Sequence, residues 1–500
     1  MDVQVVFGTR DLSAAVNRPG GAWQAERLRW SAWGGPESAV IQCAVPAGPV
    51  GRWRDLLRCP VELFTADGQR RWWGYVSGVT LEGAGGGLRM ALDAMRNVVV
   101  CRYTGFDGAP QVLRVTDAAS VDLYGEKETL LDLGESSAVR AQAAARAVLE
   151  RCSGAQTAWQ PASGPGGAAR VRLELRGWWH TLDWRLFYST GQGSAGVETP
   201  WSADAEVSVG YSTTLVKCAQ AVVDGHGPFL AWKALDVTVF ARKVGSPTDT
   251  LQASLHVVDA SGVPQGAALD SAAIPTAADL LPVRVSLSGA ARVTPGTPLG
   301  VVLARSGAVN SNHYYRVGLN EQAGLLYPCR LWNGSAWAQR TPMANMLAWV
   351  QGGADTTELA AYFAAPERGG QFLRRVLIEE PSGVNSTVHE QRVRGCGQEI
   401  SDLLRAGSAA GQPLLAEVDA QRCLCVFRAD AESAPGLLVG PDGRLLHAWG
   451  SPVRSPAQAL GRWARYLAWP DAAPVRVQGV EWSPAGGLAL TTAPGRGWPR

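Results

Sequence analysis

The residues of this chain whose types and spacing could do chemistry are mostly aromatic. Trp332 and Trp337 flank Asn333-Gly334-Ser335, and Asn310, Asn312, His313, Tyr314 and Tyr315 lie shortly before them. An exposed aromatic face stacks on the apolar face of a pyranose while neighbouring amides bond its hydroxyls. Trp332, Trp337, Asn333, Tyr314, Tyr315 and Asn312 therefore define a candidate shallow sugar site. The competing reading is that both tryptophans pack against a sheet. The chain holds 20 tryptophans, and most are expected as core or interface anchors, because an indole buries a large area with few rotors to immobilise.

Other chemistries find little footing. Glycoside hydrolysis needs two carboxylates about 5 to 10 Å apart around the sugar. Asp204, Glu206, Asp236, Asp259, Glu321, Glu379 and Glu380 are available, each read first as a solvated strand or loop residue. His180, His226, His256, His313, His389 and His447 stand singly and read as packed or surface imidazoles. There is no G-x-S-x-G elbow, no G-x-x-x-x-G-K-[ST] cradle and no H-E-x-x-H pair. Gly83 to Gly87 is Gly-rich, but no helix follows to offer free amides, so it reads as a turn. Nine cysteines without repeated spacing suit buried thiols in a reducing compartment. Cys423 and Cys425 form the single close pair and lack a second pair or histidine at ligand spacing. The expectation is a protein that is not an enzyme, with no cofactor and no metal.

The elements that must position the aromatic cluster follow from composition and punctuation. Five hundred residues suggest two to four domains, and 46% apolar with 18% charged residues suits a soluble globular chain. A net charge of +2 is too small for an electrostatic nucleic-acid or membrane footprint. No apolar run is long enough to span a bilayer, and Met1 to Arg10 lacks a leader pattern, so synthesis in a cytoplasm is expected. Residues 1–112 read as short strands in a small barrel, with a hairpin in Val61 to Val76 turning at Asp67-Gly68. Residues 113–191 read as a linking α+β segment, with a Ser137-capped helix near 138–151 whose one face carries Val139, Ala143 and Ala147. Residues 192–354 contain longer apolar runs at regular spacing, the pattern of a jelly-roll-like β-sandwich. Residues 355–500 return to shorter elements. They include a helix near Cys396 to Arg405, hairpins turning at Asp419 to Arg422 and at Pro441 to Gly443, and a closing stretch holding Trp463 and Trp469. The fold class is mainly β with a few helices, arranged in several domains.

Order matters more than any single element. A Gly34-Gly35-Pro36 segment is followed by a strand from Ala39 to Val45, the Trp73-Gly74-Tyr75-Val76 hairpin and a strand from Leu88 to Leu92. Then come Met95-x-Asn97-Val98-Val99-Val100-x-x-Tyr103 and, before an Ala-rich helix, Ser120-x-x-x-Tyr124-Gly125. This succession resembles the baseplate hub proteins of bacteriophage tails over roughly residues 20–190 and 356–485. The Leu251 to Gly266, Thr297 to Ala304 and Leu331 to Trp337 phrases look like carbohydrate-binding-module-like sandwiches inserted in phage tail proteins. The resemblance implies two hub-type barrels, with Ser120 to Gly125 as a strand, and a homotrimer joining the tail tube to the tip around a DNA channel. It implies a virion location, and as partners tail tube, distal tail and tape-measure proteins, fibres or spikes, and DNA that passes without specific binding. The inserted sandwich is expected to touch host-surface polysaccharide. The alternatives from the residues are a stand-alone glycan-binding adhesin or, further off, a polysaccharide depolymerase.

Overall fold

The structure, a computed structural model, describes residues 2–10, 15–16, 22–31, 33–44, 50–66, 68, 70–83, 86–160, 169–187, 194–196, 203–222, 232–294, 297–321, 328–386, 394–411, 414–428, 437–439, 445–447, 463–466, 475–483 and 487–494. The fold is mainly β and multidomain. One compact unit comprises Met1–Phe187, Thr356–Val384 and Val393–Arg500; the other comprises Tyr188–Asp355 with Asn385–Arg392. Among the described residues no helix is long and apolar enough to cross a membrane.

The first unit is built on a closed six-stranded antiparallel barrel. Strand Asp2–Gly8 pairs with Pro60–Phe64, which pairs with Arg70–Gly83 and then with Arg170–Arg176. Arg170–Arg176 pairs with Trp33–Ala44, which pairs with Trp23–Ser31, and that strand returns to Asp2–Gly8. The sixth strand thus comes from the segment after residue 112. Alternation explains the closure: Val3, Val5 and Phe7, then Val61 and Leu63, then Val171, Leu173 and Leu175 are buried at every second position. Gly68, at φ +77°, supplies the left-handed residue of the expected hairpin turn; Asp67 lies outside the described residues.

The linking segment departs from expectation at Ser120 to Gly125, which is no strand. Residues Ala118–Tyr124 form a helix because Asp117 accepts the Ser120 amide at 3.1 Å as an N-cap and Gly125, at φ +81°, ends it. Helix Ala138–Cys152, capped by Ser137, packs on the sheet of Val98–Thr104, Pro110–Thr116 and Glu128–Glu135. Its buried stripe is Ala141, Ala145 and Leu149, while Val139 is 76% exposed. The same four-residue spacing fits both stripes. The larger Leu149 decides which one turns inward, a correction to the face expected from Val139.

A buried aromatic junction ties the segment after the insertion to the barrel side of the same unit. Tyr75 meets Trp178 at 5.4 Å and Trp184 at 5.7 Å, and Phe372 meets the two tryptophans at 6.0 and 5.6 Å. Gly125 makes room, since a Cβ there would lie 2.3 Å from the Phe372 ring. Helix Cys396–Arg405 buries Ile400 and Leu404, while Leu403, expected inward with them, is only half-buried. Strands Leu414–Val418 and Cys423–Arg428 form the expected hairpin, and Arg375–Ile378 joins it in parallel. Strand Val475–Ser483 pairs with Trp23–Ser31, so chain segments far apart in sequence share one sheet. The turn expected at Pro441 to Gly443 and the residue Trp469 lie outside the described residues.

The second unit is a sandwich. One sheet runs Ala205–Val209, Tyr314–Asn320, Trp232–Val244, Ala348–Asp355 and Ser194–Gly196, with Leu281–Ser286 also pairing Trp232–Val244. The other runs Pro264–Ile274, Leu251–Val258, Leu299–Arg305, Lys217–Val222, Arg330–Trp332 and Trp337–Gln339. Val237, Val239, Ala241, Tyr315, Val317 and Leu319 of the first sheet share one apolar core with Cys218, Leu251, Ala253, Leu255, Val301 and Leu303 of the second.

Candidate glycan-binding site

The six residues singled out from sequence all belong to the sandwich, but the fold sends them to three different environments. Trp332 and Trp337 face each other across a tight hairpin, register partners whose rings meet edge to face at 5.4 Å and 68°. Both are half-buried, and the Lys217 ammonium sits 6.0 Å from the Trp332 ring. Asn333 is exposed, yet its side-chain oxygen is occupied: it accepts the Ser335 amide and hydroxyl, each at 3.0 Å, and the Ala336 amide at 2.8 Å. The amide oxygen therefore builds the turn rather than waiting for a sugar hydroxyl.

Tyr314 and Tyr315 are neighbours on one strand and so point to opposite faces of the sheet. Tyr315 goes inward, 1% exposed, and its hydroxyl donates to the Asp249 backbone carbonyl. Burial first, then the Asp249 charge, pushes its phenol up to about 12. It is a core residue and leaves the sugar-site list. Tyr314 goes to the other face, where it meets Tyr211 edge to face at 5.1 Å and 76° and is left only 8% exposed. Tyr211 is 44% exposed. Asn312 lies in the adjoining loop, its backbone amide donating to the Asn310 side chain at 2.9 Å.

The residues missed from sequence are those that organise this tyrosine pair. Arg305, with only 6% of its side chain exposed, forms an ion pair with Asp249 and donates to two carbonyls, His313 at 2.6 Å and Gly210 at 3.3 Å. Those carbonyls immediately precede Tyr314 and Tyr211. One buried guanidinium thus sets the backbone positions from which both rings project. The Asn310 amide donates to the same Gly210 carbonyl at 2.9 Å, and Gly307 donates its amide to Asp249 at 2.8 Å. Burial alone would raise the Asp249 carboxyl; the Arg305 hydrogen bond and charge with the Gly307 amide outweigh it and hold the carboxyl below its ordinary range.

On the same outer face Arg316, Arg242 and Glu206 are neighbours across three strands. The Glu206 Oε2 accepts from Arg242 Nη2 at 2.9 Å and from Arg316 Nη1 at 3.2 Å, and Arg316 Nη2 reaches the Tyr314 hydroxyl at 3.4 Å. Four other carboxylates weighed for hydrolysis are engaged in structure. Asp236 pairs with Arg284, Asp259 closes the Ser261–Val263 turn, Glu321 pairs with Arg340, and Asp204 accepts the Glu321 amide. Among the described residues no group of three or more His, Cys, Asp or Glu is placed to hold a metal ion.

No family model matches this chain, and no curated protein matches it. Among solved structures, the functional form of the mosquito-larvicidal Cry4Aa toxin from Bacillus thuringiensis is similar at 7% identity and TM-score 0.15, covering 61% of this chain and 52% of the toxin. The chain thus spans about half the length of that toxin. The structure of the infectious bursal disease virus Gx strain is similar at 9% identity and TM-score 0.16, covering 66% of this chain and 79% of that one. At such scores neither carries an argument about fold or function.

Proposed function

We propose that this chain is a structural virion protein, the hub at the tip of a bacteriophage tail, joining the tail tube to tip and fibre or spike proteins around the DNA channel. In this role its sandwich is a guest module that presents a sugar-binding surface to the host. The observation that carries the reading is how the guest is grafted. At its base, Leu186 and Phe187 pair with Gly395 and Arg394, and the Thr356 amide donates to the Val384 carbonyl at 2.9 Å. Both excursions of the second unit therefore leave from and return to hydrogen-bonded backbone of the first. Such closed boundaries suit an inserted recognition module in a geometric connector.

A homotrimer of such subunits needs apolar interfaces of more than about 2,000 Å² in total. The test is native mass measurement of the full chain, alone and mixed with the tail-tube protein of the same phage, together with antibody labelling of virions in the electron microscope. A trimer and label at the tail tip are expected. A monomer that stays unassociated in the mixture, with unlabelled tails, would overturn the proposal.

A further inference from the structure

The tyrosine pair and the guanidiniums beside it point to a particular class of sugar. We propose that the outer face formed by Tyr211, Tyr314, Arg316 and Arg242 binds a carboxylate-bearing saccharide, a uronic or sialic acid unit, with the ring stacked on Tyr211 and the carboxylate on Arg316. This rests on the reading of the sandwich as a sugar-binding module, and it moves the site from the Trp332–Trp337 hairpin to the neighbouring sheet face.

Three observations carry it. First, charge is unbalanced at this spot: two guanidiniums share a single oxygen of one carboxylate, Glu206 Oε2. The excess positive charge of this trio favours an approaching anion. Second, donors remain. Each terminal nitrogen of Arg316 carries two hydrogens, and among the described residues Nη1 spends one on Glu206 and Nη2 one on a long contact to Tyr314. The side chain is 38% exposed, so the remaining hydrogens are open to a ligand carboxylate in the fork geometry that guanidinium favours. Third, the aromatic partner is held in place beforehand. Arg305 fixes the carbonyls preceding both tyrosines, and Tyr211, still 44% exposed, is held edge to face against Tyr314. A preset platform loses little freedom on binding, which is what a shallow site needs to hold a sugar at all.

The hairpin tryptophans lack this combination. Both rings are half-buried, the cation near them is a lysine over the Trp332 ring, and the Asn333 oxygen is consumed by its own turn.

The experiment uses the intact protein and two matched sets of probes: oligoglucuronates against their carboxyl-reduced forms, and sialyllactose against lactose. Binding is read by glycan array and by calorimetry at low and high salt. One or both acidic probes should bind, the neutral counterparts should bind at least about tenfold more weakly, and salt should weaken the acidic complex. Arg316→Gln and Tyr211→Ala should each weaken it by about tenfold to a hundredfold, with the fold retained by circular dichroism, since the Arg316 side chain and Tyr211 are each more than a third exposed. Trp337→Ala should leave it within about twofold, below what one lost hydrogen bond gives. Equal binding of neutral and acidic probes, loss through Trp337→Ala with Tyr211→Ala silent, or no binding of either acidic probe would overturn the assignment. Failure here with trimer formation and tail labelling intact overturns the sugar assignment alone. Failure of those assays with acidic-sugar binding intact favours a stand-alone adhesin.

Discussion

Asp249→Asn tests whether a single ion pair organises the loop end of the sandwich. The substitution keeps the shape of the side chain and removes its charge, leaving Arg305 the Gly210 and His313 carbonyls and at most a neutral amide oxygen in place of its carboxylate. Both partners are well enclosed, with 6% and 14% of their side chains exposed, so solvent replaces little of the lost interaction. Breaking one side of a buried pair costs about 3 to 5 kcal/mol; the two carbonyls that Arg305 keeps reduce this to about 2 to 4 kcal/mol. For a module of this size that is roughly 5 to 12 °C in the sandwich's unfolding transition. Calorimetry of the full chain, with hydrogen exchange resolved on strands Leu251–Val258 and Tyr314–Asn320, reads it directly. The pH dependence adds a sign. The folded carboxyl releases its proton below its ordinary value, so its contribution is complete above about pH 4, the unfolded value, and is lost as pH falls from there through the lowered folded value. The gap between wild type and Asp249→Asn should therefore close below about pH 4. A variant within about 0.5 kcal/mol of wild type at pH 7, the range of an ordinary surface change, or a gap that persists unchanged at pH 3, would refute the reasoning.

Three further outcomes follow from the first unit. Phe372→Ala removes the ring that joins Trp178 and Trp184 and should destabilise this unit by about 3 to 5 kcal/mol in denaturant unfolding. Gly74→Ala places a Cβ 2.1 Å from the Arg176 carbonyl oxygen across the barrel ladder, so the Arg70–Gly83 and Arg170–Arg176 strands must part. Faster exchange of their amides is the expected signature, with no change in the sandwich. Burial, then the Arg96 charge, lowers Lys127 to about 7, although its ammonium reaches the Leu92 and Asp93 carbonyls at 2.6 and 2.9 Å. Between that value and about 10.4 the unfolded amine binds more protons than the folded one, so stability should rise with pH across this window. Lys127→Met should flatten the slope in pH-resolved melting.

Much of the architecture could be read before any coordinates, because it is written in local rules. Apolar runs between turn signals placed strands at Leu251 to Val258, Leu299 to Ala304 and Tyr314 to Leu319, the last two one residue longer in the structure, and the glycine at 68 marked a turn that needs a positive φ. The family resemblance implied a strand at Ser120 to Gly125, and the Asp117 cap makes that stretch a helix. The Ala-rich helix offers two equivalent stripes, and contact of Leu149 with the sheet chooses between them.

The candidate site was legible in its ingredients and illegible in its assembly. Aromatic and amide types suggested a sugar-binding cluster that included both Tyr314 and Tyr315, although adjacent strand residues point to opposite faces. Pairing Tyr211 with Tyr314, and setting Arg316 and Arg242 around one Glu206 oxygen, depended on strand order in the sheet. Covalent neighbours fix turns and faces because those interactions span a few residues. Which distant side chains meet is settled only when the sheets stack and a buried arginine, seeking acceptors, draws two loops together.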